Sequence, residues 1–415
     1  MMKKTIQKVK VCRICGSSKL YPFLSLGKMP IPNGFIQKEE LNMAERYYPL
    51  AVCVCENCWL VQLTHIVSPE IMFRNYVYIP STSVTMVDHF RSMANAIVDK
   101  YKLNGSDLVV DVGSNDGTLL SFFKGKEIKV LGVDPSENLS AISNLKGIET
   151  MNNFFGIEVA EKIRKEKGKA KVVTATNVLA HIHDLDDICK GVNILLENEG
   201  LFIVEFPYFL DLIDKNEFDS IYHEHLSYFS LKPLCYLFQK YNLHIIDIKK
   251  VPVHGGSLRI FVSNVKSRYK PSLRVKDFLE RESLRKLNRR STYNEFARRV
   301  KAIRRDLVSL LKRLKLQGKR IVGYGAAAKG NVLLNYCKLD SHTIEYIVDS
   351  IPYKQGKFTP GTHIPIYPET RLENDTPDYV LLLAWNFADE ILRKQVKYRE
   401  RDGEFIITIP YLRIE

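Results

Sequence analysis

Val109-Val-Asp-Val-Gly-Ser-Asn-Asp-Gly117 is a short hydrophobic run that breaks into a turn with two glycines, and the helical stretch beginning at Thr118 follows at once. A strand over 107–112 that ends in such a turn lets the backbone pass close beneath a ligand at the carboxyl end of the strand, where open α/β sheets bind theirs. Outward from this turn, strand patterns recur at Lys129–Val133, 171–175, 201–206 and 258–263, and a helical pattern from Asp88 leads in. Strands alternating with helices predict a mainly parallel sheet covered on both faces. A second unit of the same kind opens at 320–324, with strand candidates at 344–348, 379–383 and Glu404–Ile407. The fold class is therefore α/β.

The second strand ends on Asp134, 23 residues beyond Asp111. An acid at that position can accept both hydroxyls of a ribose. An acidic residue before the first glycine, with only two glycines in the turn, suits S-adenosylmethionine better than a dinucleotide. That cofactor has no pyrophosphate to seat on a helix start, and carries an ammonium and a sulfonium that Asp111 can help neutralise. The turn residues Gly113, Ser114, Asn115 and Gly117 are expected around it, Asn153 and Phe154 at the adenine, and Asn177 and His181 of Thr176-Asn-Val-Leu-Ala-His181 beside the methionine arm.

Cys12-Arg-Ile-Cys15 and Cys55-Glu-Asn-Cys58 are two metal-knuckle pairs separated by 39 residues. Together they supply the closed tetrahedral set of thiolates that structural zinc prefers, and four protein ligands leave no open position for substrate. Cys53 is an alternative ligand by proximity; Cys189, Cys235 and Cys337 stand alone and read as core thiols.

The chain has 415 residues, 45% hydrophobic and 26% charged, which implies two to four globular domains. No apolar run reaches the roughly 20 residues of a membrane span, and the basic start has no signal-peptide core after it, so a cytoplasmic location is expected. The net charge of +14 invites a nucleic-acid reading, yet residues 266–320 hold 20 Lys or Arg against 5 Asp or Glu, leaving the remainder near neutral. Within that segment Phe296, Val300, Ile303, Leu307, Leu311 and Leu314 mark one face of an amphipathic helix whose other face is solvated.

Ile221-Tyr-His-Glu-His225-Leu-Ser-Tyr-Phe-Ser230 concentrates two histidines, a carboxylate and two tyrosines. Histidine is the usual general base near neutral pH, and tyrosine can hydrogen-bond a developing oxyanion. His223 and His225 lack the four-residue spacing of helical zinc-hydrolase histidines, so a second metal is not expected. The two cannot share neighbours unless the segment is a strand, so one of them, His223, is expected to serve structure.

These residues carry a resemblance that covers essentially the whole chain. The cysteine pairs followed by Trp59-Leu-Val-Gln-Leu63, then Tyr76-Val-Tyr-Ile-Pro-Ser81, the Asp111–Gly117 turn, Asn177-Val-Leu-Ala-His181 and Glu205-Phe-Pro-Tyr208 occur in one order. Tyr222-His-Glu-His225, His254-Gly-Gly-Ser-Leu-Arg259, Gly323-Tyr-Gly-Ala-Ala-Ala-Lys-Gly330 and Trp385-Asn386 follow. In this the sequence resembles the three-domain, zinc-containing sugar C-methyltransferases of deoxysugar pathways. The resemblance implies a zinc-binding domain (1–75), a central doubly wound, Rossmann-like methyltransferase domain (76–265), a basic helical connector (266–316) and a C-terminal Rossmann-like domain (317–415). It implies methylation at C3 of a nucleoside-diphosphate 4-keto-6-deoxyhexose, with His225 as base and Tyr76, His181, Tyr222 and Glu224 around the sugar. Ser81, Arg259 and Lys329 would contact the rest of the substrate, and the chain would be a monomer or a weak homo-oligomer.

The C-terminal turn Gly323–Gly330 departs from dinucleotide spacing, and its helix start plus Lys329 suit the diphosphate of a sugar nucleotide instead. Two other layouts share features of this sequence. A zinc-containing RNA methyltransferase would carry its basic surface along the site rather than on one connector, and would show steeply salt-dependent binding. A non-catalytic sugar-nucleotide binding module would not bind S-adenosylmethionine.

Overall fold

The computed structural model describes residues 6–73 and 79–415. Tyr76 therefore lies outside the described residues. The central sheet has seven strands, in the order Leu243–Val251, Ser257–Asn264, Leu196–Pro207, Ala170–Thr176, Leu108–Val112, Lys129–Val133, Thr150–Met151. Five are parallel, and all five residues of Leu108–Val112 are buried, as a strand covered on both faces requires. The sequence pattern at 258–263 predicts one more strand of a parallel set; the structure pairs Ser257–Asn264 antiparallel with both neighbours. Only a handful of residues, including Gly255 and Gly256, join it to Leu243–Val251, too few for the crossover that parallel neighbours need. The pattern at 243–251, broken by Asp247, Lys249 and Lys250, does not reveal its strand.

The N-terminal residues form a four-stranded antiparallel sheet of Leu20–Met29, Tyr48–Cys55, Val61–Leu63 and, from far along the chain, Ser227–Tyr228. The basic segment folds into helices Leu273–Leu284 and Arg290–Leu316. In the longer one the stripe Phe296, Val300, Ile303, Leu307, Leu311 and Leu314 is buried, so the apolar face anchors it. The C-terminal sheet has six strands, parallel except for Arg413–Ile414, with Ile321–Tyr324 at its centre and helix Ala328–Cys337 leaving its turn. No helix among the described residues is long and apolar enough to cross a membrane.

Candidate active site

A cleft of about 920 Å³ runs between the carboxyl ends of the two parallel sheets, and residues of the N-terminal unit, Asn33 and Ser68 among them, close one side. On its central wall Asp111 is buried and accepts a hydrogen bond from the Thr174 hydroxyl at 2.6 Å. Desolvation pushes its carboxyl up to about 7, although that hydroxyl pulls the other way. Asn115 adopts a left-handed backbone, and its N–H donates to Asp134 Oδ2 at 2.8 Å; the N–H of Ser136 donates to Oδ1 at 2.8 Å. The Ser136 hydroxyl bonds the same carboxylate, which leaves one of its four lone pairs for a further donor. Ser114 Oγ and Asn177 Oδ1 are buried on this wall without a hydrogen-bond partner among the described residues, which is what a polar ligand would satisfy.

Gly113 lines the cleft, and on their side-chain side both glycines of the turn meet protein. Gly113 and Gly117 do have left-handed φ of 69° and 76°, but the space a side chain would fill holds protein rather than ligand. A Cβ on Gly113 would meet Val178 at 2.3 Å, and one on Gly117 would meet Ser143 at 2.5 Å. Gly117 is off the cleft lining, as is exposed Asn153, whose Oδ1 accepts from the N–H of Phe154; the Phe154 ring stands at the rim.

The segment after Phe218–Ser220, a single 3-10 turn, is neither helix nor strand at Tyr222–His225, and this lets alternate residues face opposite ways. His225 faces the cleft. Its Nδ1 lies 2.9 Å from the carbonyl oxygen of Ser220, so Nδ1 carries the hydrogen and Nε2 the lone pair of the neutral ring. The His181 ring stands edge-on at 4.9 Å, and the Tyr222 ring lies at 4.0 Å. Burial pushes His181 down to about 4, so it is neutral around pH 7. His223 turns away into the N-terminal sheet, where its Nε2 meets the carbonyl of Tyr48 at 3.3 Å, and burial lowers it too to about 4. Glu224 is buried off the cleft lining and accepts from the Asn33 amide at 2.7 Å.

Arg259 corrects the expectation of a substrate contact. Its Nε donates to Glu205 at 2.8 Å, it lies beside His89, and it is 3% exposed, so its charge is satisfied inside the protein. The antiparallel register sets Glu205 directly opposite Arg259, which places the pair side by side. The backbone carbonyl of Glu205 then accepts from the N–H of Asn177 at 2.7 Å, so the pair supports the floor of the cleft. Ser81 is exposed, off the lining, and its hydroxyl bonds the Asp116 carboxylate.

Cys12, Cys15, Cys55 and Cys58 converge so that all four sulfurs lie within 4.8 Å of one another, the nearest pairs at 3.4 and 3.5 Å. A zinc tetrahedron with Zn–S of about 2.3 Å has sulfur–sulfur edges of about 3.8 Å, which this cluster fits. Cys53 is outside it; its thiol donates to the carbonyl of Gln62. Arg13, inside the first knuckle, donates to the Ser227 hydroxyl and to the carbonyls of Ile182 and His183. The zinc unit thereby grips the segments that follow His181 and His225 in the chain, a role the sequence does not reveal.

On the opposite wall, Lys329 lies in the first turn of helix Ala328–Cys337; its Nζ is buried with no hydrogen-bond partner among the described residues, 4.6 Å from the Trp385 ring centroid, and its charge pulls down the carboxyls of Glu217 and Asp219 against the desolvation that raises them. Asp349, at the end of the next strand, accepts from the N–H groups of Ala326 and Ile351 and from Lys354 Nζ at 3.0 Å.

Three family models match in succession: a zinc-binding domain over residues 12–73, a methyltransferase domain over 89–248 and a C-methyltransferase C-terminal domain over 252–410. The C-methyltransferase NovU of Streptomyces niveus is 37% identical over 413 residues, covering 100% of this chain and 98% of its own length. The chain belongs to the S-adenosylmethionine-dependent C-methyltransferases. It is therefore an enzyme, with S-adenosylmethionine and a cysteine-bound zinc as cofactors. Among solved structures, magnesium protoporphyrin IX methyltransferase from Synechocystis is 16% identical, with a TM-score of 0.35, over 44% of this chain and 84% of that one. A protein of Pyrococcus horikoshii is likewise 16% identical, with a TM-score of 0.36, over 47% of this chain and 95% of that one.

Proposed function

We propose that this C-methyltransferase methylates C3 of a nucleoside-diphosphate 4-keto-6-deoxysugar and that His225 is the base. The observation that carries the reading is the Nδ1 contact of His225 with the Ser220 carbonyl, which leaves a lone pair on Nε2 in the cleft shared by the Asp111–Asp134 wall and Lys329. A carbon has no lone pair, so methylation there begins by breaking a C–H bond. The C3 proton passes to His225 Nε2, the electron pair moves toward the C4 oxygen, and the Tyr222 hydroxyl donates to the resulting enolate. Bound S-adenosylmethionine supplies an electrophilic methyl for that carbon. Neutral His181 stays beside the base, its ring edge-on to that of His225, while Glu224 orients the loop through Asn33. Tyr76 is assigned to the sugar on the family resemblance. Lys329 and the helix start behind it receive the diphosphate, because the buried ammonium has no hydrogen-bond partner among the described residues and the buried acids Glu217 and Asp219 act on it only through space.

A sugar nucleotide fits better than RNA as acceptor, since many basic side chains of the connector are engaged with nearby acids: Arg290 with Glu56, Arg298 with Glu295, Arg274 with Asp247. The test separates proton removal from methyl transfer. His225→Asn is expected to bind both ligands yet lose about 10²–10⁴-fold in turnover, the usual contribution of a positioned base. Exchange of the C3 hydrogen with deuterated solvent, measured without S-adenosylmethionine, should fall alongside. Exchange at the parental rate would transfer the role to another residue, His181 first.

A further inference from the structure

The carbonyl that holds His225 belongs to Ser220, and Ser220 closes the turn Phe218–Ser220. Asp219, in the middle of that turn, is completely buried. Its Oδ2 accepts from the indole N–H of Trp385 at 2.6 Å, a contact between residues 166 apart, and its Oδ1 has no partner among the described residues. Trp385 follows the C-terminal strand Tyr379–Leu382, and it is not on the cleft lining, although Ala384 and Asn386 on either side are. The same turn is gripped a second time from the C-terminal unit, where Tyr336 packs edge-on against Phe218 with centroids 5.5 Å apart. A desolvated carboxylate that receives so strong a donor takes a single orientation, and the backbone of a three-residue turn follows it.

We propose that Trp385 and Asp219 are a positioning pair, by which the C-terminal domain fixes the Ser220 carbonyl and so the tautomer and direction of the His225 ring. Histidines that bind metals or transfer protons need their second nitrogen tied down, because an untethered ring divides between two tautomers and only one presents its lone pair to the substrate. Here the tie is built from a different domain than the one that carries the base. Its catalytic consequence rests on His225 being that base; its structural consequence does not.

The experiment uses the full-length, zinc-loaded enzyme with ¹⁵N-labelled histidine, the His225 signals being assigned by their loss in His225→Asn. The parent is expected to show His225 as the Nδ1–H tautomer. Trp385→Phe keeps an aromatic ring against Lys329 but removes the donor. It should give a mixture of tautomers and a kcat about tenfold lower, with KM for the sugar nucleotide within about twofold of the parent. Asp219→Asn retains an acceptor oxygen for the indole and should keep the parental tautomer, whereas Asp219→Ala should reproduce the tautomer mixture of Trp385→Phe from the other side; because Asp219 also acts on the Lys329 charge, kcat and KM are compared on Trp385→Phe. Unfolding temperature and zinc content check that each variant is folded. A parental tautomer in both Trp385→Phe and Asp219→Ala overturns the proposal, and so does a loss expressed wholly in KM, which would mean that Trp385 acts on substrate through Lys329. A changed tautomer with undiminished kcat supports the positioning pair and instead removes His225 as base.

Discussion

The glycine turn of the central sheet and that of the C-terminal sheet are built on one plan. In each, a strand ends in a turn, the next strand ends in an aspartate, and that aspartate ties the turn down. The N–H of Asn115 donates to Asp134 Oδ2 at 2.8 Å, and the N–H of Ala326 to Asp349 Oδ2 at 2.7 Å. The residue two beyond each acid donates to Oδ1 at 2.8 Å in both cases, Ser136 in one and Ile351 in the other. They part in charge. Asp349 also receives Lys354 Nζ at 3.0 Å and is neutralised by it, whereas Asp134 has no cation within salt-bridge distance among the described residues. An unneutralised acid suits hydroxyls and a cationic cofactor; a neutralised one beside the Lys329 ammonium, whose N–H donors are unused among the described residues, suits an anion. The two turns thus share their backbone geometry and differ in their charges.

That contrast can be broken at its distinguishing residue. Lys354→Met leaves the Asp349 carboxylate buried without its cation, and the expected cost is about 3 kcal/mol of stability, since removing one partner of a buried pair leaves the other uncompensated. Denaturant unfolding that moved by only a few tenths would mean that Asp349 is no charged anchor. Next in size, Asp134→Ala should weaken S-adenosylmethionine binding by about 1–3 kcal/mol through lost charge-assisted hydrogen bonds. Asp349→Ala should leave that affinity unchanged, and calorimetry that found equal losses would erase the difference between the turns. Lys329→Met is expected to raise KM for the sugar nucleotide roughly tenfold, the worth of one charge-assisted contact, with the cofactor Kd unaltered. An unaltered KM puts the diphosphate elsewhere.

The smallest effect is a pH dependence on the central wall. The Asp111 carboxyl, raised to about 7 by desolvation, is largely protonated below that pH, and a cationic ligand prefers the ionised form. Affinity for S-adenosylmethionine should thus weaken as pH falls, by about fourfold from about pH 8 to about pH 6.5, with no such slope in Asp111→Asn. The sign for the unliganded protein is opposite. An acid whose folded value lies above its unfolded one binds more protons when folded, so its contribution to stability declines as pH rises from about 4 toward about 7. A cofactor affinity flat across that range would place the positive charge of the ligand away from Asp111.

Taken alone, the sequence determined what local spacing can encode. Two cysteine pairs, a strand broken by Gly113 and Gly117, an acid one strand later and an apolar stripe every three or four residues each specify a coordination set, a turn or a buried face without reference to distant chain. The concentration of His223, Glu224 and His225 likewise marked a polar centre, and their two-residue offset implied that one histidine would turn inward. Tertiary structure alone decided whom each side chain meets. Arg259 reads as a ligand contact until the register sets it opposite Glu205, and only packing shows that Val178 and Ser143 lie against the side-chain positions of Gly113 and Gly117. Lys354 becomes a neutralising charge only through its fold against Asp349, and Trp385 is joined to the turn that holds His225 only by a contact across 166 residues. A periodic pattern says which way a residue faces; a buried charge or donor must be satisfied by whichever partner the packed chain brings within about 3 Å, and no local window contains that partner.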